Sequence, residues 1–300
     1  MGGSLPDLYG LLDSWRLTLR AERKSPSTIA AYREGVLAFL RWAEAADTAP
    51  EITRTNVQAF TADLLADGAA PATARSRHQA VRRFVAWLVD EGELESDPLT
   101  GITPPKLDTK VTRALTDDEL KALIKACAGK DLIDRRDEAI VRFMAETGVR
   151  AGELLGMALP DDIDVSRGIA VVRRGKGGKG RVVPFGPMTA AAVDRYLRMR
   201  RGHRLGDGPV MWLGGNGQGL GYHGLDRALK IRAERAGITG FHVHLMRSTA
   251  ATRWLRAGGS EQGLMAVAGW SSRSMLDRYT TASAAERAAA EARGLNLGEL

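Results

Sequence analysis

The sequence predicts a mainly α-helical chain with a small β-sheet, divided into two domains. Three observations lead there. Apolar residues recur at helical spacing, with Ile29, Tyr32, Val36, Phe39 and Leu40 as one stripe and Val81, Phe84, Trp87 and Leu88 as another. Two runs rich in β-branched residues, IAVVRR and RVVPF, flank the glycine-rich GKGGKG and read as a β-hairpin. The stretch SDPLTGITPPKLDTKVTR, residues 96–113, mixes prolines, glycine, threonines and charges without an apolar period, which marks a linker between the domains.

Residues 1–95 read as a small helical domain. Its first stripe follows Ser25-Pro26-Ser27, a helix-start signal with a capping hydroxyl and a proline ready for the first turn. On the later helix Arg75, His78 and Arg82 fall on a different face from the apolar stripe, so one face builds the core and the other is left for a partner. After the linker, the periodicity predicts helices near 116–128 and 135–147, a break at Thr147-Gly148, and a short helix from Ala151 to Met157. The hairpin follows, then helices near 188–201 and 222–236, and the helices that carry His244 and Tyr279. The chain has no internal repeat, and its biased segment is the alanine-rich AAERAAAEARG of the tail.

Composition narrows the function classes. The chain has 300 residues, 44% of them hydrophobic, enough for two domains with cores of their own. A net charge of +7 favours a polyanionic partner. Cys127 is the lone cysteine, which excludes an intramolecular disulfide and fits a reducing cytosol. No apolar run reaches the roughly 18 residues of a membrane span, and the N-terminus lacks a charged start followed by an apolar core. No clustered acidic or Cys/His spacing implies a metal, and no Gly-Lys-Ser or Gly-Lys-Thr opening a helix implies a nucleotide. We therefore expect no cofactor.

The chemistry sits late in the chain. His244 and Arg247 stand at i, i+3 in HLMRSTAAT, a spacing that puts both on one helical face, and Tyr279 follows in SSRSMLDRYTTAS. His242 is a near decoy without that spacing, and His78, His203 and His223 carry no motif. Upstream, Arg150 lies in ETGVRAGELLGM beside a predicted helix start, and Lys176 lies where the first hairpin strand ends. A phosphodiester under attack becomes a pentacoordinate phosphorane whose added negative charge must be met by several fixed donors. Guanidinium suits that task, because its planar fork grips two oxygens and never loses its charge. Tyr279 could be a packing tyrosine, as could Tyr9, Tyr32, Tyr196 and Tyr222. The polar, charged setting of Tyr279 between Arg278 and Thr280 predicts instead an exposed and mobile nucleophile.

The order Arg150, Lys176, His244, Arg247, Trp270 and Tyr279, carried in the words TGVRAGELLGM, GKGGKGR, HLMRSTAAT and GWSS, resembles the tyrosine recombinases, also called the phage integrase family, from Ala114 to Ala282. The resemblance implies a helical, SAM-like core-binding domain over 1–95, a linker over 96–113, and a catalytic domain of the DNA breaking-rejoining fold over 114–282. Residues 283–300 would be a tail exchanged between protomers. Arg150 and Arg247 would hold the non-bridging oxygens, and Lys176 would protonate the departing 5′ oxygen, with Lys179 as the competing choice. His244 would either take the phenol proton or donate to phosphate. Arg75, Arg77, His78, Arg82, Lys179 and Arg181 are the candidate DNA contacts.

Two departures from the usual pattern stand out. Many members have histidine where this chain has Trp270, whose indole has a donor and no acceptor, so it can bond a phosphate oxygen or pack behind Tyr279 but cannot shuttle a proton. Ser248 stands where a histidine is frequent. The implied partners are double-stranded DNA at core-type sites and three more copies of the chain, in a bacterial cytosol, with an accessory DNA-bending or directionality protein left open. The domain layout leaves no room for an arm-binding domain, and the texture of AGWSSRSMLDRY favours integration of a phage or mobile element. The alternatives are a Xer-type resolvase of chromosome or plasmid dimers, a type IB-like topoisomerase, and a non-catalytic DNA-binding relative.

Overall fold

The structure is a computed structural model that describes residues 7–47, 51–107, 113–173, 180–215, 217–277 and 279. Eleven α-helices and three short strands are formed among them, in two compact units, Met1–Lys110 and Val111–Leu300.

The first unit holds α1 (Leu8–Ala21), α2 (Pro26–Ala45), α3 (Arg54–Ala66) and α4 (Pro71–Asp90). Side chains cap three of the starts: Asp7 accepts from the Gly10 amide, Ser25 from Thr28, and Thr53 from Asn56. Pro71 opens α4, where a missing N–H costs nothing. Gly35 brings α2 close to α4, since a Cβ there would lie 2.5 Å from that of Ala80. The core between the helices is aromatic, with Trp15, Phe39, Phe60 and Phe84 buried and the Trp15 and Phe84 rings 5.1 Å apart. Leu99 and Ile102, in the segment read as linker, are buried in this same core. Their three-residue spacing is too short a signal to show as a period.

His78 departs from expectation. It lies on α4 but is 1% exposed, not on a partner-facing surface. Its Nδ1 stands 3.4 Å from the Thr61 hydroxyl and its Nε2 is a buried atom with no hydrogen-bond partner. Burial first, then the charges of Arg82 and Arg75, lower its pKa. The α3 helix covers the face of α4 that carries His78.

The second unit is built around α6 (Leu132–Thr147), ten of whose residues are buried. Around it lie α5 (Asp117–Ala126), α7 (Ala151–Leu155), α8 (Pro187–Arg201), α9 (Tyr222–Arg235), α10 (His244–Arg256) and α11 (Glu261–Ala268). A Thr116/Glu119 capping box starts α5. The expected hairpin pairs β2 (Ile169–Val172) with β3 (Arg181–Pro184), Val172 opposite Arg181, and a two-residue β1 (Ile163–Asp164) adds an antiparallel edge. Asp137, buried in α6, binds Arg136 and Arg232, so the core carries a paired charge. A smaller cluster of Ala251, Leu255, Leu264, Ala268, Trp270, Leu276 and Tyr279 packs where α10 meets α11.

Candidate active site

The end of α6 sets the first arginine. Gly148 caps that helix in the left-handed region, φ 62°, Val149 is fully buried, and the chain re-enters a helix with Arg150 as its N-cap. Glu153, one turn into α7, accepts from the Arg150 amide at 2.9 Å and from its Nη1 at 2.7 Å. Arg181 from β3 closes on the other side of the same carboxylate, at 2.7 and 3.1 Å. Burial alone would push the Glu153 carboxyl up, but the hydrogen bonds from Arg181 and Arg150 outweigh it and hold its pKa at about 2. Glu153 was not singled out from the sequence; its signal was the i+3 carboxylate of a helix start in RAGE.

Arg247 occupies the third position beyond the start of α10 and is 3% exposed. Its Nη1 donates to the Gly148 carbonyl at 2.6 Å and its Nη2 to the Ala268 carbonyl at 2.7 Å. Both acceptors lie at helix C-termini, where the backbone dipole favours a cation. Burial, and then the nearby charge of Arg150, bring its pKa down to about 10, so it stays cationic at neutral pH. Arg150 Nη2 reaches the next carbonyl, Gly269, at 3.4 Å, and Arg181 Nε the preceding one, Val267, at 2.6 Å. Three guanidinium groups thus grip three consecutive carbonyls at the end of α11.

That end leads directly into the tyrosine. The Trp270 ring has its centroid 5.3 Å from the Arg247 guanidinium carbon and stacks on Tyr279, centroids 5.1 Å apart and 7° from parallel. Tyr279 is 8% exposed, so the expectation of an exposed nucleophile is not met: its polar neighbours in sequence hid an apolar bed made by Leu264, Leu276 and Trp270. His244 is exposed at the start of α10, one turn before Arg247. The structure therefore brings Arg150, Arg247, Trp270 and Tyr279 together, and α10 adds His244 beside Arg247.

Lys176 and Lys179 lie outside the described residues. Of the candidate DNA contacts, Arg75 is exposed and donates to the Pro105 carbonyl, while Arg77 and Arg82 are half-buried. Arg181 departs from the expected surface position: its side chain is 10% exposed and its guanidinium bonds Glu153 and the Val267 carbonyl. Among the described residues no group of three His, Cys, Asp or Glu side chains is placed to hold a metal ion, and no helix is long and apolar enough to cross a membrane.

Comparison with known proteins agrees with this geometry. Residues 113–286 match the phage integrase family, and residues 12–92 match the phage integrase N-terminal SAM-like domain. Tyrosine recombinase XerC of Chromobacterium violaceum is 31% identical over 259 residues, which cover 86% of this chain and 85% of that protein. The crystal structure of XerA recombinase aligns with a TM-score of 0.52 at 30% identity, over 90% of this chain and 92% of that one. A lambda integrase tetramer bound to a Holliday junction has the same fold, with a TM-score of 0.66 at 18% identity over 88% of this chain and 77% of that one. The chain belongs to the phage integrase family and is a tyrosine recombinase, an enzyme of site-specific DNA recombination.

Proposed function

We propose that this chain is a Xer-type recombinase, which recombines two copies of one DNA site and so resolves chromosome or plasmid dimers. The likeness to XerC and XerA at 30% identity or more favours this reading over integration of a phage or mobile element. The observation that supports the catalytic part is Trp270, whose ring contacts both the Arg247 guanidinium and the Tyr279 ring. Tyr279 Oη attacks the phosphorus of the scissile phosphodiester, forming a 3′-phosphotyrosine and releasing a 5′ hydroxyl. Arg150 and Arg247 hold the non-bridging oxygens as charge develops on them. His244 takes the phenol proton or donates to phosphate, and Lys176, with Lys179 as second choice, protonates the departing oxygen. The 5′ hydroxyl of a second strand then attacks the phosphotyrosine, which restores the phosphodiester and frees the tyrosine without ATP. The working assembly is a tetramer on two DNA duplexes, which pass through a Holliday junction.

The test is covalent trapping on nicked duplexes that the protein binds, wild type beside Tyr279→Phe. We expect a denaturation-resistant complex with the wild type alone; its formation by Tyr279→Phe would overturn the assignment. A plasmid with two direct repeats of the trapped site then separates the biological readings. Resolution into two circles supports the dimer resolvase, whereas recombination that requires two unlike sites supports integration.

A further inference from the structure

Arg181 is the first residue of β3, and its guanidinium spans two parts of the site. On one side, Nη1 and Nη2 hold both oxygens of Glu153, the carboxylate that also takes the amide and Nη1 of Arg150. On the other, Nε holds the Val267 carbonyl, and the two carbonyls that follow it, Ala268 and Gly269, take Arg247 and Arg150. Trp270 comes next, stacked on Tyr279. Gly269 fits around this bridge: its φ is +64°, and a Cβ there would lie 2.9 Å from Arg181 Nη1. Arg200 makes the contrast. It is buried too, at 3% exposed, but its donors go to the carbonyls of Gly206, Gly208, Val210 and Met211, all in one loop, so it braces that loop and joins nothing in the site.

We propose that Arg181 is a positioning residue for strand transfer: one guanidinium fixes Arg150 through Glu153, and fixes the segment carrying Trp270 and Tyr279 through the Val267 carbonyl. This rests on the reading of Arg150, Arg247 and Tyr279 as the strand-cutting groups. In-line attack needs the nucleophile and the clamped phosphate in one geometry, and an error of about 1 Å costs about 100-fold in rate. Arg181 ties both partners of that geometry to the same strand. The planar fork is essential to the role, because an ammonium group in its place would be a point charge, able to hold Glu153 or Val267 but not both with the same directionality.

The experiment is single-turnover formation of the covalent complex on a nicked duplex by the full chain, with DNA affinity and thermal midpoint measured in parallel. Wild type is compared with Arg181→Ala, Arg181→Lys, Gly269→Ala, Arg150→Ala and the Arg150→Ala/Arg181→Ala double variant. We expect Arg181→Ala to slow cleavage about 100-fold with DNA affinity unchanged. Arg181→Lys should be intermediate, and Gly269→Ala, which displaces the guanidinium, should lose rate in the same way. The double variant should be less impaired than the product of the two single losses, because Arg150→Ala already removes the group that Arg181 places through Glu153. Wild-type rates for the Arg181 variants, a loss confined to DNA affinity, or fully multiplicative losses would each overturn the proposal. If Arg181→Ala does not fold, Arg181→Lys and Gly269→Ala decide by the same criteria. A wild type that traps no DNA, or a Tyr279→Phe variant that traps it equally, overturns the reading of the site and the proposal with it. Normal behaviour of those controls beside wild-type rates in the Arg181 variants overturns the proposal alone.

Discussion

Arg247 is a buried cation that donates to two backbone carbonyls, those of Gly148 and Ala268. Truncation leaves both acceptors without their donor, at about 1–3 kcal/mol for each buried group left unsatisfied, and also removes a phosphate ligand. Arg247→Ala is therefore expected to lower both the thermal midpoint and the cleavage rate, the latter by about 100-fold or more. Equal cleavage in trapping assays would contradict the phosphate role. Glu153 makes a pH-dependent contribution. Its folded pKa, about 2, is below its ordinary value of 4.5, so the stabilisation is complete above about pH 4.5 and is lost as pH falls towards 2. At about 1.4 kcal/mol per unit it amounts to roughly 3 kcal/mol, and urea titrations at pH 6 and pH 3 should show the gap between wild type and Glu153→Gln narrowing at the lower pH. His78 has the same sign of shift for another reason. Its lowered pKa means that neutral imidazole is favoured in the fold, so its stability contribution is present above about pH 6.5 and lost on acidification. His78→Leu should remove that acid sensitivity of the first unit and leave DNA affinity unchanged, as measured by melting at pH 7 and pH 5 and by anisotropy.

At the scale of elements, the site is assembled from ends rather than from faces. The C-terminus of α6, the start of α7, the first turn of α10 and the C-terminus of α11 converge, because helix ends expose backbone groups that arginines can bind. Gly148 serves two of these ends at once, as the left-handed cap of α6 and as acceptor for Arg247. Its Cβ would stand 3.3 Å from that of Ala250 in α10. Gly148→Ala should cost about 1–2 kcal/mol from the positive φ alone, and the strained carbonyl should carry Arg247 with it. A melting curve and a trapping assay on the same preparation test both parts; unchanged cleavage beside lowered stability would separate the cap from the site. The helices α2, α4, α5, α6, α7, α8, α9 and α10 were legible from apolar periodicity or from a helix break or start beside them. The two-residue β1 and the eight-residue α11 were not, since so few residues establish no period.

For the molecule as a whole, the charge of +7 belongs to a chain with two separate cores, and DNA binding is expected to be dominated by counterion release. Affinity measured by anisotropy should fall steeply, by about 1,000-fold or more between 50 and 200 mM salt if six or more phosphates are contacted; a flat profile would contradict that mode of binding. By itself, the sequence determined the family chemistry. Arg150, His244, Arg247, Trp270 and Tyr279 sit in short words whose residue types and order are local properties of the chain. It also determined the mainly helical class and the β2–β3 hairpin, because hydrophobic periodicity and turn chemistry are written over neighbouring residues. What only the tertiary structure decided depends on residues far apart in the chain. Arg181 turned inward because Glu153 and Val267 lie 28 and 86 positions away from it. His78 was buried because α3 covers it, Leu99 and Ile102 joined a core built by helices that precede them, and Tyr279 was stacked on Trp270 rather than left in solvent. A local pattern states which groups are present; which of them satisfy one another is settled by burial, since a buried charge or ring must find its partner wherever the fold provides one.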